Sequence, residues 1–159
     1  MGGFILDDDI SQVDEFAVIY VSHLLPFSNW SAHQVIVWGK LFPTVEHAYQ
    51  YKKFADTDIK WAERIRKAKS PYEARRLGRQ RAIDVMEWHQ QRETVMRELI
   101  AAKLQQHRDV REALLETGKR AILEYSNDGD MFWGIGQDYC GLNTLGKIWM
   151  ALREELQES

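Results

Sequence analysis

The chain has 159 residues, a net charge of -3 and ordinary hydrophobic content, with six Trp, six Tyr and six Phe. That length fits one domain with a sizeable core, and the charge excludes a protein that coats nucleic acid through overall basicity. The single cysteine, Cys140, excludes an internal disulfide and suits a reducing compartment. No basic stretch precedes an apolar run and no apolar run approaches ~18 residues, so neither a secretory signal nor a membrane span is expected, and the cytoplasm is the default location.

Residues 1–14 read as an acidic, loosely ordered lead-in. Phe16 to Val21 is β-branched and aromatic and predicts a strand ended by Pro26. Val35 to Trp38 predicts a second short strand, with Gly39-Lys40 at a turn. Thr44 is a plausible N-cap for a helix that carries Glu46 and Phe54. A further helix is expected over about 58–69. Ser70-Pro71-Tyr72-Glu73 combines an N-cap Ser, a Pro at the first helical position and a Glu at the third, so a capped helix starts there and Gly78 closes it. Asp84 opens the longest helix, about 85–106, with Trp88, Val95, Met96, Leu99 and Ile100 on its apolar side. Another spans about 109–117, stopped by Gly118. Ala121 to Gly141 reads mainly as a long loop, and long loops inside compact domains are usually functional. Asn143 caps a final helix whose apolar stripe of Leu145, Ile148, Trp149, Leu152 and Leu156 belongs to a core.

Glu46 and Lys53 stand seven positions apart, close to two helical turns, so Glu46, Tyr49, Gln50 and Lys53 share one face. The two ionisable groups are separated along the axis by roughly 10 Å, which suits a ligand between them better than an ion pair. The segment is otherwise apolar, and a lysine in apolar surroundings loses charge stabilisation. Its neutral amine is a nucleophile able to form a Schiff base with a sugar carbon, and a carboxylate beside it can move the protons. An exposed, purely structural helix is the competing reading. Lys52 points about a hundred degrees away.

The loop Asn127 to Gly136 offers Asp128 and Asp130 beside Phe132-Trp133, either a carboxylate next to an aromatic platform or an Asx-type turn anchored by Trp133. Phe27-Ser28-Asn29-Trp30 places a polar pair between aromatics. Nine cations lie between Lys60 and Arg81, against Glu63 and Glu73 alone. That run is a solvated helical face or a patch that meets phosphate. The five His lack zinc-motif spacing.

Taken in order, these pieces resemble the YbiA-like family of the NADAR (NAD- and ADP-ribose-linked) superfamily. The matching segments are Phe27-Ser28-Asn29, Phe42 to Gln50, Lys53-Phe54, Ala74 with Leu77-Gly78-Arg79, Trp88, Met96, Ala102-Lys103, Leu114 to Thr117, Asp130 with Trp133 to Gly136, Gly141, Asn143 and Leu145-Gly146. They run from about Phe27 to the C-terminus, within a single domain of residues 15–159. The resemblance implies a compact, mainly α (α+β) fold with a small N-terminal β element. It implies an N-glycosidase that needs no metal or redox cofactor. Its substrate would be ADP-ribose on modified guanine in nucleic acid, or an early riboflavin-pathway intermediate carrying ribose 5-phosphate. Carried onto this chain, Lys53 would be the Schiff-base residue, with Glu46 and Asp130 the acid/base and sugar-positioning carboxylates. Ser28, Asn29, Gln50, Arg79, Trp133, Gly134 and Asn143 would line the ligand. The alternative is a module that holds ADP-ribose or NAD without turnover.

Overall fold

The structure is a computed structural model that describes residues 12–13, 17–20, 25–126 and 128–159. Most of the expected lead-in, and the ends of the strand expected over Phe16 to Val21, lie outside these residues. The described residues form two compact units, one of Asn29–His107 and one of the chain up to Ser28 together with Arg108–Ser159.

Within Asn29–His107, strands β3 (Val35–Val37) and β4 (Lys40–Phe42) form an antiparallel hairpin, with Ile36 opposite Leu41. The chain-order labels β1 (Gln12–Val13) and β2 (Ala17–Tyr20) belong to strands of the other unit. The turn residues Trp38 and Gly39 both have positive φ, 53° and 71°, the geometry that a tight two-residue hairpin requires. The second strand of this hairpin went unforeseen because Gly39-Lys40 marked only the turn. Helix α1 (Val45–Lys52) starts where Thr44 accepts from the His47 N–H. Helix α2 (Ile59–Arg66) is capped by Asp58. Helix α3 (Pro71–Gly78) begins at the predicted cap: Ser70 Oγ accepts from the Glu73 N–H at 3.1 Å, and Glu73 reaches back to the Lys69 N–H at 2.7 Å. Helix α4 (Val85–Gln106) begins after Asp84, as expected. Each such cap contributes about 1 kcal/mol, which is why local sequence places these starts so well.

α1 packs against α2, α3 and α4. Seven of its eight residues are buried, Glu46 and Gln50 among them. The α1–α3 contact is close because of Gly78: a Cβ there would collide with the side-chain amide of Gln50.

In the other unit, β1 (Gln12–Val13), β2 (Ala17–Tyr20) and β5 (Ala121–Glu124) form a sheet in the order β1-β2-β5, with β1 antiparallel and β5 parallel to β2. Ala121–Glu124 is therefore a strand and not the start of a loop, and Gln12–Val13 is paired rather than loose. The Ala121–Glu124 strand is not visible locally, since a parallel partner far along the chain creates it. Helices α5 (Arg108–Glu116) and α6 (Thr144–Glu158) complete the unit. Trp149 is fully buried, with its indole N–H donating to the Phe27 carbonyl at 3.1 Å. The fold is mainly α with a small N-terminal β element, as expected. No helix of the described residues is long and apolar enough to cross a membrane.

Candidate active site

Helix α1 holds the expected pair. Glu46 is buried, and Gln50 Nε2 donates to its Oε1 at 2.7 Å across one turn. The Trp30 side chain also donates to it. Burial nevertheless dominates and raises the Glu46 carboxyl above its ordinary value, against the lowering effects of Gln50, the charges of Arg75 and Lys53, and Trp30. A carboxyl raised in this way is suited to hold and release a proton.

Lys53 is the residue that closes α1, in helical conformation and half-buried. Its Nζ lies 5.4 Å from the Tyr49 ring centre and 5.9 Å from that of Trp88, and the two rings meet edge to face at 5.1 Å. Aromatic faces favour an ammonium, but desolvation outweighs them. The amine is pushed down to about 8, first by burial and then by the charges of Arg79 and Arg75, with Glu46 alone raising it. Lys52 differs: its Nζ sits 5.0 Å over the Trp38 ring instead.

Asn29 meets α1 through its backbone, its carbonyl accepting from the Glu46 N–H at 3.1 Å. Its side-chain Nδ2 reaches the Met96 sulfur at 3.5 Å, and among the described residues its buried Oδ1 has no donor. Gln50 Oε1 is likewise buried without a donor. The Gln50 amide cannot turn round, because Glu46 accepts and so fixes the NH2 group. Arg79 is exposed at the C-cap of α3, one turn from Arg75. Sequence reasoning missed Arg75 and gave Trp30 no role. The i, i+4 relation of Arg75 to Arg79 was the available signal.

The remaining expected residues belong to the other unit. Ser28 is half-buried, its N–H donating to the Leu25 carbonyl at 3.1 Å. Asp130 Oδ1 accepts from the N–H groups of Phe132 and Trp133, both at 2.8 Å, an Asx-type turn. Trp133 stands edge to face with Phe132 at 4.7 Å. The Gly134 carbonyl accepts from the Asn143 N–H at 3.0 Å. Asn143 precedes α6, but its side chain makes no cap. Instead its Nδ2 donates to the Ile122 carbonyl and its Oδ1 accepts from the Glu124 N–H, both at 2.9 Å, so it pairs with β5 as a neighbouring strand would. The first N–H groups of α6 are satisfied by the Phe132 and Trp133 carbonyls, each at 3.0 Å.

The chain is similar to known proteins over most of its length. Residues 20–157 match the NADAR domain. The chain is 40% identical over 131 residues to the N-glycosidase YbiA of Escherichia coli (strain K12), covering 82% of this chain and 80% of that one. The NMR structure of E. coli YbiA superposes with a TM-score of 0.79 at 34% identity, covering 94% of this chain and 89% of that one. An N-glycosidase of Nostoc punctiforme is 39% identical, covering 82% and 85%. A riboflavin biosynthesis protein of Vibrio vulnificus is 36% identical over 82% of this chain, though only 35% of that longer protein is covered. The chain belongs to the NADAR domain family, and the enzyme class it shares with these relatives is N-glycosyl hydrolase.

Proposed function

We propose that the protein hydrolyses the bond between a ribose and a base nitrogen through a Schiff base on Lys53. The observation that carries this is the placement of the Lys53 amine against the Tyr49 and Trp88 rings, at 5.4 and 5.9 Å, at the end of the helix that buries Glu46; burial there lowers the amine and raises the carboxyl. In the first step the neutral Nζ donates its electron pair to the anomeric carbon. The carbon–nitrogen bond to the base breaks, its electrons leaving with the base nitrogen. Of the two protons the amine gives up, one replaces the proton that Glu46 delivers to that nitrogen, and the other goes to the ring oxygen as the ring opens to the imine. Water then adds to the imine carbon, restores the amine and releases the sugar. Covalent catalysis thus splits one difficult cleavage into two steps.

Asn29 Oδ1 would accept from a ribose hydroxyl, and Arg75 and Arg79 would neutralise a phosphate on the sugar. Asp130 is assigned to sugar positioning, with Ser28, Gln50, Trp133, Gly134 and Asn143 around the ligand, on the strength of the family resemblance. The substrate class is a phosphorylated N-riboside: ADP-ribosyl guanine in nucleic acid, or ribose 5-phosphate intermediates of the riboflavin route. The E. coli and Nostoc relatives, named as N-glycosidases, and the Vibrio relative, named as a riboflavin biosynthesis protein, support the glycosidic and riboflavin parts of this reading.

The test is borohydride trapping across a panel of ADP-ribosylated guanine oligonucleotide, NAD, ADP-ribose and the two early riboflavin intermediates, read by mass spectrometry. A covalent adduct is expected with a cleaved substrate and none in Lys53→Ala. An undiminished adduct in that variant removes Lys53 from the mechanism. Binding without sugar release from any compound overturns the enzyme in favour of an ADP-ribose or NAD module. Asp130→Asn is expected to fold and lose most turnover, and wild-type rates would make that carboxylate structural.

A further inference from the structure

An aromatic pair lies at each end of α1. Tyr49 and Trp88 lie against the Lys53 amine, where the helix ends, and both are buried at 7% exposure. Trp30 and Tyr72 stand at the Glu46 end, with ring centres 6.4 Å apart and planes at 70°. Trp30 is brought there by its neighbour: the Asn29 carbonyl accepts from the Glu46 N–H at 3.1 Å, in the first turn of α1. Three contacts then hold the ring. Its indole N–H donates to Glu46, the Arg75 guanidinium lies 6.0 Å from its centre, and Tyr72 meets it edge to face. Trp30 is half-buried and Tyr72 is 65% exposed. These two rings form an open corner, whereas the pair at Lys53 is closed.

The proposed chemistry has a direction along this helix. Lys53 attacks the anomeric carbon and Glu46 protonates the nitrogen bonded to it. Amine, carbon, nitrogen and carboxyl therefore follow one another over the roughly 10 Å between the two residues. The sugar lies at the Lys53 end, and the base extends past its nitrogen at the Glu46 end. Proton transfer needs that nitrogen within ~2.6–3.2 Å of the carboxyl. The indole that donates to the same carboxyl is an aromatic surface at the place where the base emerges. A ring face accepts a flat heterocycle by stacking, and a second ring at a steep angle to the first meets it edge on.

We propose that the leaving base stacks on Trp30 and is closed on its outer side by Tyr72, so that these two rings set which leaving groups the site accepts. This rests on the N-glycosidase reading and adds to it the subsite for the departing half of the substrate. The corner offers ring faces and a single phenol hydroxyl, since the indole N–H is already given to Glu46. It therefore selects by flatness. A planar heteroaromatic base is held against the acid while its bond breaks, and a saturated amine leaving group is not.

The test uses 2-aminopurine riboside 5′-phosphate, whose fluorescence falls when its base stacks, beside ribose 5-phosphate as the ligand that lacks a base. The wild-type protein is expected to quench the probe. Tyr72→Ala and Trp30→Leu are each expected to weaken probe binding about 5-fold or more, the loss for one base–aromatic contact, and to remove most of the quenching. Ribose 5-phosphate, followed by calorimetry, should bind both variants as it binds the wild type. Tyr72→Phe keeps the ring and should restore affinity and quenching together. Absence of quenching by the wild type, or unchanged affinity and quenching in both ring-deleted variants, would overturn the subsite. So would an equal loss of ribose 5-phosphate binding, which would make the rings supports of the fold and not a surface for the base. Because the probe reports stacking without cleavage, failure of the N-glycosidase reading would appear separately, as absence of sugar release from every substrate.

Discussion

Gln50 donates to Glu46 at 2.7 Å across one turn of α1, and Gly78 of α3 holds the other side of the same amide. The carboxyl is thus oriented by a residue that is itself wedged by a helix contact. Gln50→Ala removes a hydrogen bond that favours the charged form, so the Glu46 carboxyl should rise further. The expected result is a fall in kcat of about 10- to 100-fold, a fraction of what general acid–base catalysis contributes, with a smaller change in KM. Steady-state kinetics of the variant over pH 5–9 checks this.

The rate of adduct formation should follow the neutral amine of Lys53 and the protonated carboxyl of Glu46. The rate should pass through a maximum, rising as the Lys53 amine, at about 8, loses its proton and falling as Glu46 loses the proton it delivers. Arg79 lowers the amine and Glu46 raises it. Arg79→Gln should therefore move the rise to higher pH, and Glu46→Gln should move it to lower pH while slowing turnover. Borohydride trapping under single-turnover conditions, run from pH 6 to 10, reads all three profiles.

Burying a charged amine costs stability, and the sign can be tested. The Lys53 amine lies at about 8 in the folded protein against 10.5 in the ordinary case, so the unfolded chain binds more protons between those values. Stability should rise with pH across that window. Below about 8 the full cost is present, on the order of 1–3 kcal/mol after allowance for partial exposure. Lys53→Met should therefore raise Tm by several degrees at pH 7 and by little at pH 10.5, while abolishing the adduct. Calorimetry at the two pH values decides it.

Gly78→Ala introduces a Cβ where the Gln50 amide sits. Overpacking of this kind should destabilise by about 1–3 kcal/mol. The same change in a Gln50→Ala background should cost much less, since the colliding atoms are gone. Denaturant unfolding of the four proteins gives the coupling as a double-mutant cycle.

Asn143 has a left-handed backbone, φ 53°, and two side-chain bonds to β5. Asn143→Ala should cost about 2–4 kcal/mol, combining two lost hydrogen bonds with the strain of Ala in that region. Asn143→Gly should recover the backbone part alone. Thermal unfolding of both variants separates the two contributions.

Local chemistry made much of this protein legible. The caps at Thr44, Ser70 and Asp84 act within a single turn, so α1, α3 and α4 begin where the sequence placed them. Periodicity alone put Glu46, Gln50 and Lys53 on one side of α1 and set Lys52 apart. The resemblance, spread along the chain in order, supplied the family. Tertiary structure decided what depends on distant partners. β5 is a strand because β2 lies beside it, and Asn143 turns to β5 instead of capping α6 because loop carbonyls already satisfy that helix. Arg75 and Trp30 act at Glu46 only because α3 and the segment before the hairpin pack around α1. The lowered pKa of Lys53 is likewise a property of its burial: a seven-residue spacing puts an amine and a carboxyl on one helix face, but only removal from water lowers the amine to about 8.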